Sequence, residues 1–492
     1  MRESPADTAV WLGIDLGTQS VRALAATAGG DVVGRGSVPL TGRREGDRHE
    51  QDPTSWWPAV SGATRAALRE VAPGSVRGVA VCSTSGTVLL VGPTGEPLTE
   101  GLMYDDGRAH AEAREAQEAG AEVWARLGHR IQPSWALSKL LWLARREPAR
   151  PPGTRLAHQA DVVTARLAGS PVPTDSSHAL KTGYDLVSED WPADVLARLG
   201  LPLSLFPDVV GPGSVLGTVC AAAAAETGIP AGTPIVAGMT DGCASQLGAG
   251  ALRVGRWNSV LGTTLVLKGV TPTLVRDPAG VMYSHRAPDG SWLPGGASSV
   301  GAGALPFDAD LAALDALATG HEPSSAVAYP LVSAGERFPF LHPDAVAFMI
   351  GEPADAGDRH AALLQGVALV ERLCLAYVRQ LGAPVEGPLT FTGGATKSAY
   401  WNQLRADVLG RPARIPEHAD AALGMAVLAA YGAERSSSLA DVAERMVRIA
   451  ATIEPRPQRA ERFAEPYGRL LDELELRGWL APAVAAYARE HG

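Results

Sequence analysis

The stretch Val10-Trp11-Leu12-Gly13-Ile14-Asp15-Leu16-Gly17-Thr18-Gln19-Ser20 decides the fold. An apolar run ends on a carboxylate, a glycine and small polar residues. The apolar pattern resumes over 21–25, and Asp31-Val32-Val33 follows Gly29-Gly30. This spacing predicts strand, tight turn, strand, turn, strand, which is a β-meander. An acid at a strand end, followed by glycine and a hydroxyl, suits a phosphate and Mg2+ site. Gly17 lets the backbone approach closely, backbone N–H groups and Thr18 can face phosphate oxygens, and Asp15 can hold the metal through water. The same residues also make an ordinary hairpin, in which Asp and Gly serve only the turn.

Further along, Asp52-Pro53 launches a helix and 76–82 reads as another strand. The opening pattern then recurs: 256–261 is a strand, Gly262-Thr263-Thr264 a turn and 265–269 a strand. The chain therefore reads as two divergent copies of one meander-plus-helices unit, an α/β protein. Its 492 residues are too many for a single ordinary core. We expect a domain over 1–248 with the substrate site and base, and one over 249–465 with the nucleotide site. A C-terminal helix over 466–492 is expected to pack back on the first domain.

Composition removes several classes of function. Hydrophobic residues make up 46% and charged residues 20%, as in a globular chain. A net charge of -10 without a basic arm argues against nucleic acid. No run approaches the roughly 20 apolar residues that cross a bilayer, and the polar opening Met1 to Ala6, with no apolar h-region, argues against a secretory signal. The expected compartment is the cytoplasm. Cys82, Cys220, Cys243 and Cys374 are dispersed, as reduced buried thiols are, and not paired as in a metal cluster.

Three more segments carry chemistry. In Gly238-Met239-Thr240-Asp241-Gly242, Asp241 sits where a strand yields to a helix. A carboxylate there can take a proton from a substrate hydroxyl during phosphoryl transfer, or can simply cap the helix. Gly262-Thr263-Thr264 can grip phosphates or merely turn a hairpin. In Thr392-Gly393-Gly394-Ala395-Thr396-Lys397-Ser398-Ala399-Tyr400-Trp401, the glycines would let adenosine lie against backbone. Ser398 would cap the next helix and Trp401 would wall the adenine. A plain strand–turn–helix with a core Trp fits too. The spacing matches neither a P-loop nor GxGxxG.

Taken in order, these four motifs resemble the FGGY carbohydrate kinases of the actin-like ATPase superfamily. His49-Glu50-Gln51-Asp52-Pro53, Tyr104-Asp105-Asp106-Gly107-Arg108, Gly335-Glu336-Arg337-Phe338-Pro339 and Ala421-Ala422-Leu423-Gly424-Met425-Ala426 support the resemblance, which spans essentially the whole chain. It implies two actin-like (ribonuclease H-like) domains with the active site in the cleft between them. It implies ATP and Mg2+ as cofactors, Asp15 and Thr18 at metal and phosphate, and Asp241 as catalytic base, with Asp15 and Asp241 the metal carboxylates. Gly17, Thr18, Gln19 and Gly262, Thr263, Thr264 would bind phosphates, and Gly393, Gly394, Ser398 and Trp401 the adenosine.

Two departures stand out. Ala395 replaces the family's usual third glycine and could crowd the nucleotide. Ser83-Thr84-Ser85-Gly86-Thr87 stands where xylulokinases carry Gln-Met-His-Gly, and resembles the D-ribulose kinase branch. Ser85 and Asp106, with Ser83 beside them, become the expected sugar ligands, with D-ribulose the first substrate and D-xylulose the second. The protein is expected to be a monomer or homodimer. Two rivals stay open: a nucleotide-operated switch protein of the same superfamily fold, and a non-catalytic sugar sensor.

Overall fold

The computed structural model describes residues 9–147, 150–306, 310–434 and 438–492. The polar opening Met1 to Ala6 lies outside them. The chain divides into two compact units: 1–250 with 285–291 and 418–448, and 251–284 with 292–417 and 449–492.

The first unit is built on a six-stranded sheet. Its spatial order is Val215–Thr218, Pro234–Val236, Val76–Ser83, Val10–Leu16, Ser20–Thr27, Val32–Pro39. The last three form the antiparallel meander that the opening motif predicts. Val10–Leu16 then pairs in parallel with Val76–Ser83, which puts Asp15 beside Cys82 and Leu16 beside Ser83. The second unit repeats this plan. Trp292–Ala297, Leu265–Gly269 and Trp257–Leu261 are antiparallel, Leu389–Thr392 and Ala413–Pro416 follow in parallel, and Ile449–Ile453 closes the edge antiparallel. The internal repeat read from two strand–turn–strand segments is thus a repeat of whole-sheet topology.

The opening strand of the first unit is buried throughout and reads as a near-continuous apolar run rather than an alternating one, while its counterpart Trp257–Leu261 buries Asn258 and Ser259 among its apolar residues. The core of the second unit gathers around the 25-residue helix Ala356–Gln380. By length and composition that helix could span a bilayer, but 89% of its most apolar window is buried in protein, as in a core helix.

Two features depart from expectation. The helix Ala421–Glu434 belongs to the first unit, packed on the opening strand. Gly13 permits this: a Cβ there would meet the Ala422 carbonyl oxygen at 1.8 Å. The C-terminal helices Ala464–Leu476 and Pro482–His491 pack within the second unit, not on the first. Their buried Tyr467, Leu470, Leu471, Leu474, Ala485 and Ala488 complete the core around Leu364, Leu373 and Tyr329. An apolar stripe of that size goes to the nearest uncovered apolar face, here the long helix.

Candidate active site

In the first unit a cavity of about 800 Å³ opens at the ends of the central strands. Asp15, Gly17, Thr18, Gln19, Arg22 and Asp241 are among the residues that line it. Asp15 comes from the end of the opening strand. The turn after it is closed by the Gly17 N–H on the Ser20 carbonyl (3.1 Å) and anchored by Gln51 Nε2 on the Thr18 carbonyl (2.6 Å). Asp241 opens the helix Asp241–Gly248, with Thr240 as N-cap, and accepts the Gly242 N–H at 2.8 Å. A carboxylate suits that position, because the helix start carries partial positive charge.

Asp15 feels both its burial and its acidic neighbour. Burial first, then the charge of Asp241, raise the Asp15 pKa from 3.8 to about 6, with Asp420 adding to the rise. Arg22, its cross-strand partner, and the Cys82 thiol at 3.7 Å work in the opposite direction. Among the described residues no three His, Cys, Asp or Glu groups form a ready-made metal cage. Crowded carboxylates around an open cavity fit instead a Mg2+ ion that keeps most of its waters.

The raised pKa makes a stability prediction. A carboxyl that binds its proton more tightly folded than unfolded costs nothing when protonated, and the cost appears as pH rises from about 4 through 6. The full penalty above pH 6 is about 3 kcal/mol, at 1.36 kcal/mol per unit. Asp15→Asn should therefore raise the melting temperature of the metal-free, nucleotide-free protein at pH 7.5 and leave it nearly unchanged at pH 4. Equal effects at both pH values would refute the raised pKa.

Asp106, expected as a sugar ligand, does not line the cavity, whereas its neighbour Asp105 does. Asp106 is fully buried, paired with Arg108 at 2.7 Å and accepting the His49 N–H at 2.7 Å. Asp105 lines the cavity with Tyr104, His49 and Arg44. Its carboxylate accepts from His49 Nδ1 at 2.6 Å and from Arg44. Burial would raise its pKa, but these hydrogen bonds hold it below the usual carboxylate range.

The Ser83–Thr87 turn also differs from expectation. Ser83 is fully buried, its hydroxyl bonded to His178 Nε2 (2.9 Å) and accepting the Ala160 N–H (3.1 Å). Ser85 is absent from the cavity lining, and its hydroxyl is buried without a partner among the described residues. Thr84 does line the cavity, with its hydroxyl on Thr87 and Gln159.

In the second unit, the Gly262–Thr264 turn and the Gly393-Gly394 turn lie side by side. Gly393 has φ 90°, and a Cβ there would strike the Leu261 carbonyl at 2.5 Å. Gly393 and Gly394 are exposed, which leaves backbone amides open to a ligand. The loop 262–264 is braced by the Ala302 and Gly303 N–H groups on the Gly262 and Thr263 carbonyls, both at 3.0 Å. Ser398 and Trp401, expected in the adenosine pocket, serve the fold. Ser398 caps the helix Ala399–Leu409 and donates to Asp315 at 2.7 Å, while Trp401 is 3% exposed and donates to the Leu364 carbonyl. Ala395 packs its methyl into the core, so it does not crowd the open turn.

Residues 10–248 match the N-terminal domain of the FGGY family of carbohydrate kinases, and 257–433 match its C-terminal domain. The chain belongs to the FGGY family of carbohydrate kinases. This FGGY kinase is 34% identical to the xylulose kinase of Streptomyces coelicolor, over 87% of its own length and 89% of that protein. It is 29% identical to the autoinducer-2 kinase of Klebsiella pneumoniae, over 92% and 91% of the two chains. The crystal structure of xylulose kinase from Rhodospirillum rubrum superposes with a TM-score of 0.85 at 28% identity, covering 95% of this chain and 99% of that one. The expected class is borne out: an ATP-dependent FGGY sugar kinase with two actin-like domains, a phosphotransferase.

Proposed function

We propose that the protein transfers the γ-phosphoryl group of ATP to the terminal hydroxyl of a five-carbon ketose, with D-xylulose the favoured substrate. The observation that carries this reading is the placement of Asp241 with Asp15 in one cavity large enough for a sugar.

Asp241 takes the hydroxyl proton as the phosphoryl group arrives. A carboxylate fixed by the Gly242 N–H is both correctly aimed and strong enough for that step. Asp15 and Asp241 would hold Mg2+, which would supply charge neutralisation at the ATP phosphates. The Gly17–Gln19 backbone and the Arg22 guanidinium at the same rim face the transferring group, and Gly262–Thr264 with Gly393-Gly394 offer amides to the nucleotide. Asp105, His49 and Arg44 supply hydrogen bonds to sugar hydroxyls, and the exposed Tyr104 ring offers an apolar face.

D-xylulose moves ahead of D-ribulose for two reasons. Of the Ser83–Thr87 turn that suggested ribulose, the hydroxyls of Ser83, Thr84 and Thr87 are occupied by one another and by His178 and Gln159, and Ser85 does not line the cavity. The curated relatives include xylulose kinases at 34% and 32% identity. ADP release with D-xylulose, D-ribulose, autoinducer-2, xylitol and glycerol tests the reading. We expect kcat/KM for D-xylulose to exceed the others by about tenfold or more, a gap of about 1.4 kcal/mol. A larger value for D-ribulose would reverse the order. ATP hydrolysis indifferent to every sugar would favour a nucleotide switch.

A further inference from the structure

The turn from Met103 to Asp106 carries Tyr104 and Asp105 into the cavity, and a buried lysine holds it from beneath. The turn closes through the Asp106 N–H on the Met103 carbonyl at 3.0 Å. That same carbonyl accepts a second hydrogen bond from Lys139 Nζ at 2.6 Å, and the Leu102 carbonyl lies 3.5 Å from the ammonium. Lys139 is on the helix Ala136–Arg146 and is 0% exposed. Its neighbours one turn away, Trp135, Ala136 and Leu143, are buried, so this face is otherwise apolar.

Burying an ammonium costs several kcal/mol unless hydrogen bonds and charges compensate it. An apolar residue would fill the same helix face without that cost, so packing alone does not account for the charge. The far end of the turn is fixed separately, by Asp106 on Arg108 and on the His49 N–H. The near end is held by the Met103 N–H on the His49 carbonyl at 2.9 Å, and the lysine adds a grip on the Met103 carbonyl from beneath.

We propose that Lys139 is a positioning residue for sugar binding, which through the Met103 carbonyl sets the turn that aims Tyr104 and Asp105 at the substrate. This rests on the cavity being the sugar site. Around the ammonium, Asp106 and Asp105 favour the charged form, while Lys181 and Arg108 oppose it. His49, Arg44 and Glu50 pair with the same loop. Burial outweighs the acids and brings the Lys139 pKa down to about 7. An amine donates a weaker hydrogen bond than an ammonium, so the grip on the turn loosens as pH rises through neutrality.

The test is Lys139→Met in the full chain, with D-xylulose or the best sugar of the panel. We expect the sugar KM to rise at least tenfold while the KM for ATP stays within twofold. In the wild type the sugar KM should climb between pH 6.5 and 8.5, and the variant should lack that limb. A purely structural lysine would lower the melting temperature and leave the wild-type pH profile in place, which would overturn the proposal. An unchanged sugar KM in the folded variant would do the same. Should the variant not fold, the wild-type profile decides, since a flat sugar KM across that range contradicts the inference. Failure of every sugar to be phosphorylated would instead bring down the site reading and this proposal together.

Discussion

Asp241→Asn should lower kcat for sugar phosphorylation by about 10²–10⁴-fold, the usual contribution of a positioned general base. Asparagine keeps the size of the side chain and an oxygen for the Gly242 N–H, so the start of the helix should survive. What it cannot do is accept a proton from a hydroxyl whose pKa lies far above 7. ATP affinity, measured by equilibrium titration, should change by no more than about threefold, or about 0.65 kcal/mol. Near-normal turnover would remove Asp241 from the role of base.

Glu371→Ala should have the largest effect on stability. Arg405 and Glu371 are both fully buried in the second unit and joined by two hydrogen bonds of 2.8 and 2.9 Å. The guanidinium also donates to Ser259 and lies 3.7 Å from the Phe391 ring centre. Removing the acid strands a buried cation, which costs about 3–5 kcal/mol. Pairing Glu371→Met with Arg405→Met should recover most of that loss, because two apolar side chains need no partner. Thermal unfolding of both variants checks this. A loss below about 1 kcal/mol in the single variant would show that water reaches the arginine.

Much of the architecture could be read ahead of the coordinates, because it is written in local patterns. Two apolar runs, each interrupted by a small polar turn, led to two sheets of the same topology. Asp15 and Asp241 stood out because each follows a strand and precedes a turn or helix. The misreadings share a cause: which way a side chain points depends on partners distant in sequence. Asp105 and Asp106 are adjacent carboxylates, and only the burial of Arg108 decides which is internal. Trp401 follows a glycine-rich turn, but the long helix Ala356–Gln380 draws it into the core. The return of Ala421–Glu434 to the first unit had one available signal, a glycine inside a buried strand, since Gly13 marks a close backbone approach. Lys139 gave none, as a lone lysine on a helix normally faces water.

Joint action of the two acids is most directly tested by a double-mutant cycle on sugar phosphorylation with Asp15→Asn, Asp241→Asn and the pair together. Groups that act as a unit are strongly non-additive. The double variant should be no more than about tenfold slower than the worse single variant, a difference of 1.36 kcal/mol. Losses that multiply in full would mean that the two carboxylates contribute independently and do not act as one unit.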